Sequence, residues 1–252
     1  VKTFPLAYGI SDLAVSPDGR HVYAGRTGVD GADVAILDTA SGDERAISIA
    51  GAGTVTERLQ LSPDGSRLYV AANNASAAEL VVVDAQRNRV LSRVEIGSPI
   101  RDIALSPDGD TAYVGSCGPD FGTVLDVVDV RDPRECAITA THKIGDVAGM
   151  LSGLTLSRDG SRAYLVGDTS VTVLATRTQD VVGSIATGVQ PSCAIESPAG
   201  NRLYIADYAG TVIVLSVDTA AAPAIARTSD DAPTAPHAWA FADLRALEPT
   251  PA

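Results

Sequence analysis

Short apolar runs alternate with polar turns along most of the chain. One stretch reads RLQLS, RLYVAA, ELVVVDA and RVLSRVEIG in succession, and each run is separated from the next by a few polar or small residues. Val, Ile, Leu and Tyr dominate the second and third runs, whereas Pro, Asp, Gly and Asn mark the turns. This pattern predicts four consecutive β-strands, a, b, c and d, with b and c the most apolar.

A turn and a tyrosine recur five times at a fixed offset. A Ser-Pro-Asp-Gly segment precedes strand b, whose Tyr lies seven residues after the Ser; the fourth copy reads Ser-Arg-Asp-Gly and the fifth Ser-Pro-Ala-Gly. The pairs are Ser16 and Tyr23, Ser62 and Tyr69, Ser106 and Tyr113, Ser157 and Tyr164, and Ser197 and Tyr204. Asp and Gly favour tight turns. Because a catalytic carboxylate is normally singular, the repeated Asp residues are interpreted as turn-formers.

The repeat predicts the architecture. Its copies are 46, 44, 51 and 40 residues apart, and four-stranded units of this length are typical of propeller blades. Each small sheet has two apolar faces that only neighbouring blades can cover. We therefore predict an all-β fold, a β-propeller of four-stranded antiparallel blades with five repeats visible. The ring is either five-bladed or part of a larger six- or seven-bladed ring.

The residues that form the repeat also carry a family resemblance. SPDGSRLYVA followed by ELVVVDA and VLSRVEIG resembles the YVTN-type β-propeller repeats of bacterial surface and envelope proteins. The resemblance covers roughly residues 1–218 and implies an extracytoplasmic setting, either the cell envelope or secretion. It extends more distantly to lactonase-like propellers, which place activity at a central funnel. No catalytic residue can be carried over to this sequence, so none is assigned.

The two ends of the chain differ from the repeats. Residues 1–9 resemble an orphan strand d that would complete the last blade and close the ring, which removes an open sheet edge. Residues 221–227 are the rival for that position. Residues 219–252 form an Ala- and Pro-rich tail, of which 237–249 are compatible with a short helix. This tail either docks on the propeller or binds a partner.

Composition narrows the classes of function. The net charge of −12 and the pI of about 4.5 disfavour binding to nucleic acid or to an anionic membrane surface. No run is long and apolar enough to span a membrane. Because metal and nucleotide motifs are absent from the sequence and its three cysteines give no disulfide framework, no metal site or cofactor is expected. Arginine strongly outnumbers lysine, which is typical of a GC-rich genome such as an actinobacterial one.

Departures from the repeat indicate where binding would occur. The third repeat has an extended b–c loop (115–122), followed by an extended d–a connection (145–153) on the same face. Functional residues favour loops held by a rigid scaffold. Strands a begin near the axis on that face, so both their first residues and the loop residues are candidates, unless the apolar loop side chains fold inward. The candidates on this face are Asp12, Arg58, Arg101, Phe121, Met150 and Leu151.

One strand a carries an unexpected acid. Four units have Val or Leu before the turn, but the fifth has Glu196. A buried carboxylate is unfavourable unless it is paired. Either a one-residue slip places Ile195 in the core, or Glu196 is a functional acid near the axis, which makes it a seventh candidate for binding.

Three functions remain open at this point. The leading hypothesis is a non-enzymatic, monomeric propeller that binds a partner protein, peptide or small ligand through the b–c/d–a face. One alternative is a lactonase-like hydrolase with a central-funnel site. The other is a structural repeat protein of the surface-layer type.

Overall fold

A computed structural model of the chain describes residues 3–118, 122–145, 149–188 and 190–217. These residues form nineteen β-strands in five antiparallel sheets that follow one another along the chain. We number the sheets as blades 1 to 5. The predicted all-β propeller is confirmed.

Strands a to d pair in chain order within each blade. Blade 1 contains β1 (Gly9–Val15), β2 (His21–Gly28), β3 (Gly31–Asp38) and β4 (Glu44–Gly51), and blade 2 contains β5 (Val55–Leu61), β6 (Arg67–Asn73), β7 (Ala78–Asp84) and β8 (Arg89–Ile96). Blade 3 contains β9 (Ile100–Leu105), β10 (Thr111–Cys117), β11 (Thr123–Asp129) and β12 (Ala137–Ile144). Blade 4 contains β13 (Gly153–Leu156), β14 (Arg162–Val166), β15 (Ser170–Ala175) and β16 (Val181–Ala186), and blade 5 contains β17 (Pro191–Glu196), β18 (Arg202–Asp207) and β19 (Val212–Ser216).

The hydrophobic core lies between blades. Tyr23 and Val34 of blade 1 pack in one buried cluster with Leu68 and Val81 of blade 2. Three further clusters join blades 2 and 3, 3 and 4, and 4 and 5 in the same way. Strands b and c are therefore covered on both faces, which explains why their sequences are nearly continuous apolar runs.

The Ser-Pro-Asp-Gly segments form the turns between strands a and b, as predicted. In blade 2 the Ser62 hydroxyl donates to Asp64 Oδ1 at 2.6 Å and accepts from the Arg67 amide at 2.9 Å. The Gly65 amide donates to the Ser62 carbonyl at 2.8 Å. Gly65 has a φ of 71°, a conformation that favours glycine.

These turns also contact one another between blades, which the repeat pattern did not predict. A Cβ added to Gly65 would lie 2.6 Å from Cδ of Pro17 in the preceding blade. A Cβ added to Gly160 would likewise lie 2.6 Å from Cδ of Pro107 in the preceding blade. The proline ring of one blade thus occupies space that the glycine of the next blade leaves free.

The five blades form an arc that is open between blades 5 and 1. Successive strands a contact each other from β1 to β17, and no comparable contact joins β17 to β1 in the described part of the chain. Leu13 and Val15 of blade 1 are 56% and 57% exposed, and Ile195 of blade 5 is 59% exposed. Packing of a further blade would cover such edges. The arrangement therefore matches part of a larger ring rather than a closed five-bladed one.

The N-terminal segment lies against blade 1. Residues 3–8 form no strand, and the centre of the Tyr8 ring lies 5.9 Å from the Arg26 guanidinium carbon on β2. Blade 5 has three strands among the described residues. Of the segment expected to close the last blade, the described residues 3–9 pair with no strand of blade 5, and Gly9 begins β1 instead. The expected tail, residues 219–252, lies outside the described residues.

Acid is expected to destabilise the turns between strands a and b. The Ser62 hydroxyl and then the Ser66 amide lower the pKa of Asp64 from 3.8 to about 2, and equivalent serine contacts lower the pKa of Asp159 to about 2. Because the pKa values are lower in the folded chain than in the unfolded chain, these carboxylates stabilise the fold above about pH 4, and their contribution is lost as pH falls towards about 2. Urea midpoints should fall over that range, and less steeply for Asp64→Asn. An equally steep fall in the variant would contradict a role for Asp64.

Candidate functional site

Strands a carry a β-bulge near their first residue, at the inner edge of the blade. In blades 1, 2, 3 and 5 the residue five positions before the repeat serine has no partner on strand b; these residues are Ser11, Glu57, Arg101 and Ser192. A bulge re-aims side chains and is frequent next to functional sites. In blades 2 and 3 both the bulged residue and the residue after it are charged, namely Glu57 with Arg58 and Arg101 with Asp102. We call the surface formed by Asp12, Glu57, Arg58, Arg101, Asp102 and Met150 the axial face.

Two carboxylates of the axial face link successive blades. Asp12 accepts the backbone N–H of Leu59 at 2.8 Å, and Asp102 accepts that of Leu154 at 2.7 Å. Each also accepts the amide of the residue that follows it, at 2.9 Å. Burial raises the pKa of Asp102, whereas the Leu154 amide and then the charge of Arg58 oppose that rise. These carboxylates hold neighbouring strands a in fixed positions.

Two arginines on the axial face make loose ion pairs. Arg58 Nε lies 3.4 Å from Asp102 Oδ1, and Arg101 Nη1 lies 3.9 Å from Glu57 Oε1. The arginine side chains are 36% and 35% exposed. Within the described ranges, Arg101 Nε is buried without an acceptor. Ion pairs this long and exposed contribute little to stability, so both guanidinium groups retain donors for a ligand.

The extended d–a connection contributes one side chain to the axial face and one to the core. Met150 is 39% exposed, and its Sδ accepts from Arg101 Nη2 at 3.4 Å. Its amide donates to Asp168 Oδ2 at 3.2 Å. Leu151 is 2% exposed and packs on the face of Gly115, where a Cβ would collide with it. Leu151 therefore folds inward and is not available for binding.

Glu196 lies at the far end of its strand a, away from the axial face. Its Oε1 accepts the Tyr164 hydroxyl at 2.5 Å, and its Oε2 accepts the Arg158 amide at 3.0 Å. Burial, followed by the contact with Glu196, raises the pKa of Tyr164. Proline in place of Arg158, as in the other repeats, could not donate this bond. The two sequence departures therefore pair with each other across the junction of blades 4 and 5.

The predicted strand slip at Glu196 is wrong. Glu196 pairs with Leu203 in the register in which Leu61 pairs with Leu68, and Ile195 is 59% exposed. The alternative, a functional acid near the axis, stays a prediction; in the structure the Glu196 carboxylate is bonded to Tyr164 and Arg158 at the end of strand a opposite the axial face.

The structure brings four of the seven candidate residues together, namely Asp12, Arg58, Arg101 and Met150. Leu151 and Glu196 lie elsewhere, and Phe121 lies outside the described residues. Sequence reasoning missed Glu57 and Asp102. The available signal was a pair of adjacent charged residues at the same place in two successive repeats.

Among the residues that the structure describes, no three His, Cys, Asp or Glu side chains are grouped so that they could hold a metal ion. In that same part of the chain, no helix has the length and apolar character needed to cross a membrane. Cys117, Cys136 and Cys193 are free thiols.

Comparison with known proteins places the fold among the β-propellers. The chain is 45% identical to a seven-bladed β-propeller protein of Mycobacterium tuberculosis, over 83% of this chain and 60% of that protein. It is 39% identical to a seven-bladed β-propeller protein of Mycolicibacterium smegmatis, over 27% of this chain and 19% of that protein. No protein-family model matches the chain.

Solved structures agree on the fold. A functionally unknown protein from Desulfotomaculum acetoxidans has a TM-score of 0.71 at 15% identity, over 85% of this chain and 68% of that one. The Cps50 (Swd1) β-propeller domain of Myceliophteria thermophila has a TM-score of 0.68 at 15% identity, over 88% and 70%. Hydrazine synthase of Kuenenia stuttgartiensis has a TM-score of 0.66 at 21% identity, over 87% and 59%. At these identities the likeness shows the fold alone.

The lengths of these proteins agree with the open arc. The chain spans about 60% of the length of the M. tuberculosis relative, which is named as seven-bladed. Five blades in an open arc are consistent with part of such a ring.

Proposed function

We propose that this chain is a non-enzymatic interaction module that binds an acidic peptide segment of a partner protein through the axial face. One observation carries the proposal, namely the pair of partly exposed guanidinium groups of Arg58 and Arg101 in long ion pairs. A planar guanidinium can bind a carboxylate through two parallel hydrogen bonds. Met150 offers an apolar contact beside them.

The rigidity of the axial face supports this proposal. The buried amide of Asn73 donates to the Ile100 carbonyl at 2.9 Å and accepts from the Ile100 amide at 3.0 Å, which fixes the first residue of β9 to blade 2. Asp12 and Asp102 fix neighbouring strands through backbone amides. A surface that is ordered before binding loses less conformational entropy when a ligand binds.

The alternative functions receive less support. Glu196, the acid considered for a hydrolase, is bonded to Tyr164 and Arg158 on the opposite side of the blade. A YVTN-type family assignment and an extracytoplasmic setting remain part of the proposal and rest on the sequence resemblance alone. Fractionation of source cells into medium, envelope and cytosol, with detection by a specific antibody, would test the setting.

Charge reversal on the axial face should abolish partner binding. We expect that wild-type protein retains a partner from an extract of source cells and culture fluid, and that Arg58→Glu/Arg101→Glu does not. The affinity for the purified partner should fall by about 30-fold or more, the range of an interface hot spot. Quantitative mass spectrometry of retained proteins, followed by titration with the acidic segment, measures both effects.

The matched control reverses two charges on the other face. Arg89 is the first residue of strand d of blade 2, and Arg134 lies in the turn before strand d of blade 3; both are exposed. Arg89→Glu/Arg134→Glu changes the net charge by the same amount and should retain the partner. Equal retention by the two double variants would reject the axial face as the binding site.

A further inference from the structure

An arginine crosses the junction between blades 2 and 3. Arg67, the first residue of β6, donates from Nη1 to the Val130 carbonyl at 2.5 Å and from Nη2 to the Arg131 carbonyl at 3.2 Å. These two carbonyls belong to the turn between strands c and d of blade 3. The repeat places an equivalent residue and an equivalent pair of carbonyls at each of the junctions between blades 1 and 4. This contact therefore shows which group the position accommodates, a guanidinium.

The junction between blades 1 and 2 lacks that group. His21 occupies the register position of Arg67, and the equivalent carbonyls are those of Ala85 and Gln86. In the part of the chain that the structure describes, the Ala85 carbonyl accepts only the Tyr23 hydroxyl, at the long distance of 3.5 Å, and the Gln86 carbonyl has no donor. Two acceptors that are filled at one junction are thus available at the other.

A cleft of about 440 Å³ lies where the guanidinium would be. Its lining includes His21, Tyr23, Ala85 and Gln86 together with four carboxylates and one cation; the charged residues are Asp18, Asp38, Asp43, Asp64 and Arg45. Hydrogen bonds from neighbouring hydroxyl and amide groups lower the pKa of Asp18, Asp38 and Asp64. The cleft is therefore negatively charged at neutral pH and attracts a cation.

A short residue on strand b does not by itself create this site. Thr111 stands at the equivalent position in blade 3, but Thr176 of blade 4 replaces Ala85 there. The Thr176 side chain is buried and its hydroxyl donates to the Gly160 carbonyl at 2.5 Å. Of the three junctions between blades 1 and 4, only the first combines a residue shorter than arginine on strand b with an alanine in the facing turn of the next blade.

We propose that the cleft between blades 1 and 2 binds a guanidinium group, presented by an arginine side chain of a peptide or by a small guanidinium compound. The bound group donates to the Ala85 and Gln86 carbonyls in the way that Arg67 donates to its pair. The surrounding carboxylates supply the attraction that selects a cation. This site lies on the face of the a–b and c–d turns, opposite the axial face, and does not depend on the function proposed above.

Titration with methylguanidinium tests the site, with amide shifts in ¹H–¹⁵N spectra of the 252-residue chain as the readout. We expect saturable shifts at Ala85, Gln86 and Arg87, with a Kd of about 1 mM. Methylammonium should bind at least about tenfold more weakly, because it cannot span two carbonyls with a planar fork. A blocked Gly-Gly-Arg-Gly-Gly peptide distinguishes the sources: tighter binding than methylguanidinium assigns the site to a peptide, and equal binding assigns it to a small guanidinium compound.

His21→Arg supplies the missing group within the chain. We expect this variant to lose methylguanidinium binding by at least about tenfold and to unfold at a higher urea concentration than wild type. Thr111→Arg is the matched control and should bind the probe as wild type does. Absence of saturable shifts in the wild type, or unchanged binding by a folded His21→Arg protein, would overturn the proposal.

Discussion

Replacement of Gly65 by alanine is expected to lower the free energy of unfolding by about 3 kcal/mol. About 1 kcal/mol arises from the positive φ, which disfavours any residue with a Cβ. The remaining 2 kcal/mol or so arises from overpacking, because the added Cβ would lie 2.6 Å from Cδ of Pro17 in a rigid ring. Urea unfolding followed by circular dichroism measures the loss.

Gly19 provides the matched control for this substitution. It occupies the same turn position in blade 1 with a φ of 69°, but nothing lies within 4 Å of its added Cβ. Gly19→Ala should therefore lose only about 1 kcal/mol. The variant Pro17→Ala/Gly65→Ala should recover part of the stability lost in Gly65→Ala. Equal losses at Gly19 and Gly65 would show that the contact between turns contributes nothing.

Glu196→Leu, which restores the residue type of the other repeats, is expected to destabilise the protein by about 2 kcal/mol. The reason is that Tyr164, which is 2% exposed, would lose the acceptor of its buried hydroxyl. Glu196→Gln retains an amide oxygen at that position and should lose less than about 1 kcal/mol. Free energies of unfolding for the two variants provide the comparison.

Tyr164→Phe shows whether the lost hydrogen bond is the cause. In that background Glu196→Leu should be nearly neutral, because no buried hydroxyl remains unpaired. A loss of the same size in both backgrounds would mean that Glu196 acts through something other than Tyr164. The cycle therefore gives the interaction energy between Glu196 and Tyr164.

The fold could be predicted because its signals are local. Each unit contains the turn residues, the fixed distance from Ser to Tyr and the apolar strands b and c, and these signals recur from one unit to the next. The number of blades in the ring could not be predicted in the same way. It depends on the contacts at the two ends of the arc, where residues such as Leu13 and Ile195 are exposed.

The candidate site was only partly predictable from the sequence. The alternation of polar and apolar residues along a strand does not reveal where a β-bulge interrupts the pairing. Strict alternation places Glu57 and Arg58 on opposite faces of a strand. The bulge instead leaves Glu57 near Arg101 and Arg58 near Asp102, so four charged residues meet across two blades. Leu151 was misleading for a different reason. Its position in a long connection between blades favours exposure, but the glycine at position 115 leaves room for its side chain in the core.

The contact between the turns has a direction. The proline of one blade packs on the glycine of the next, so the two partners use different surfaces, as in a head-to-tail assembly. Such a contact does not limit the number of units. Every unit that contains both the proline and the glycine can pack against a preceding blade and a following one. Duplicated units could therefore be added to the chain without redesigning this contact. The rotation between neighbouring blades, and not the turn motif, then determines how many units close a circle.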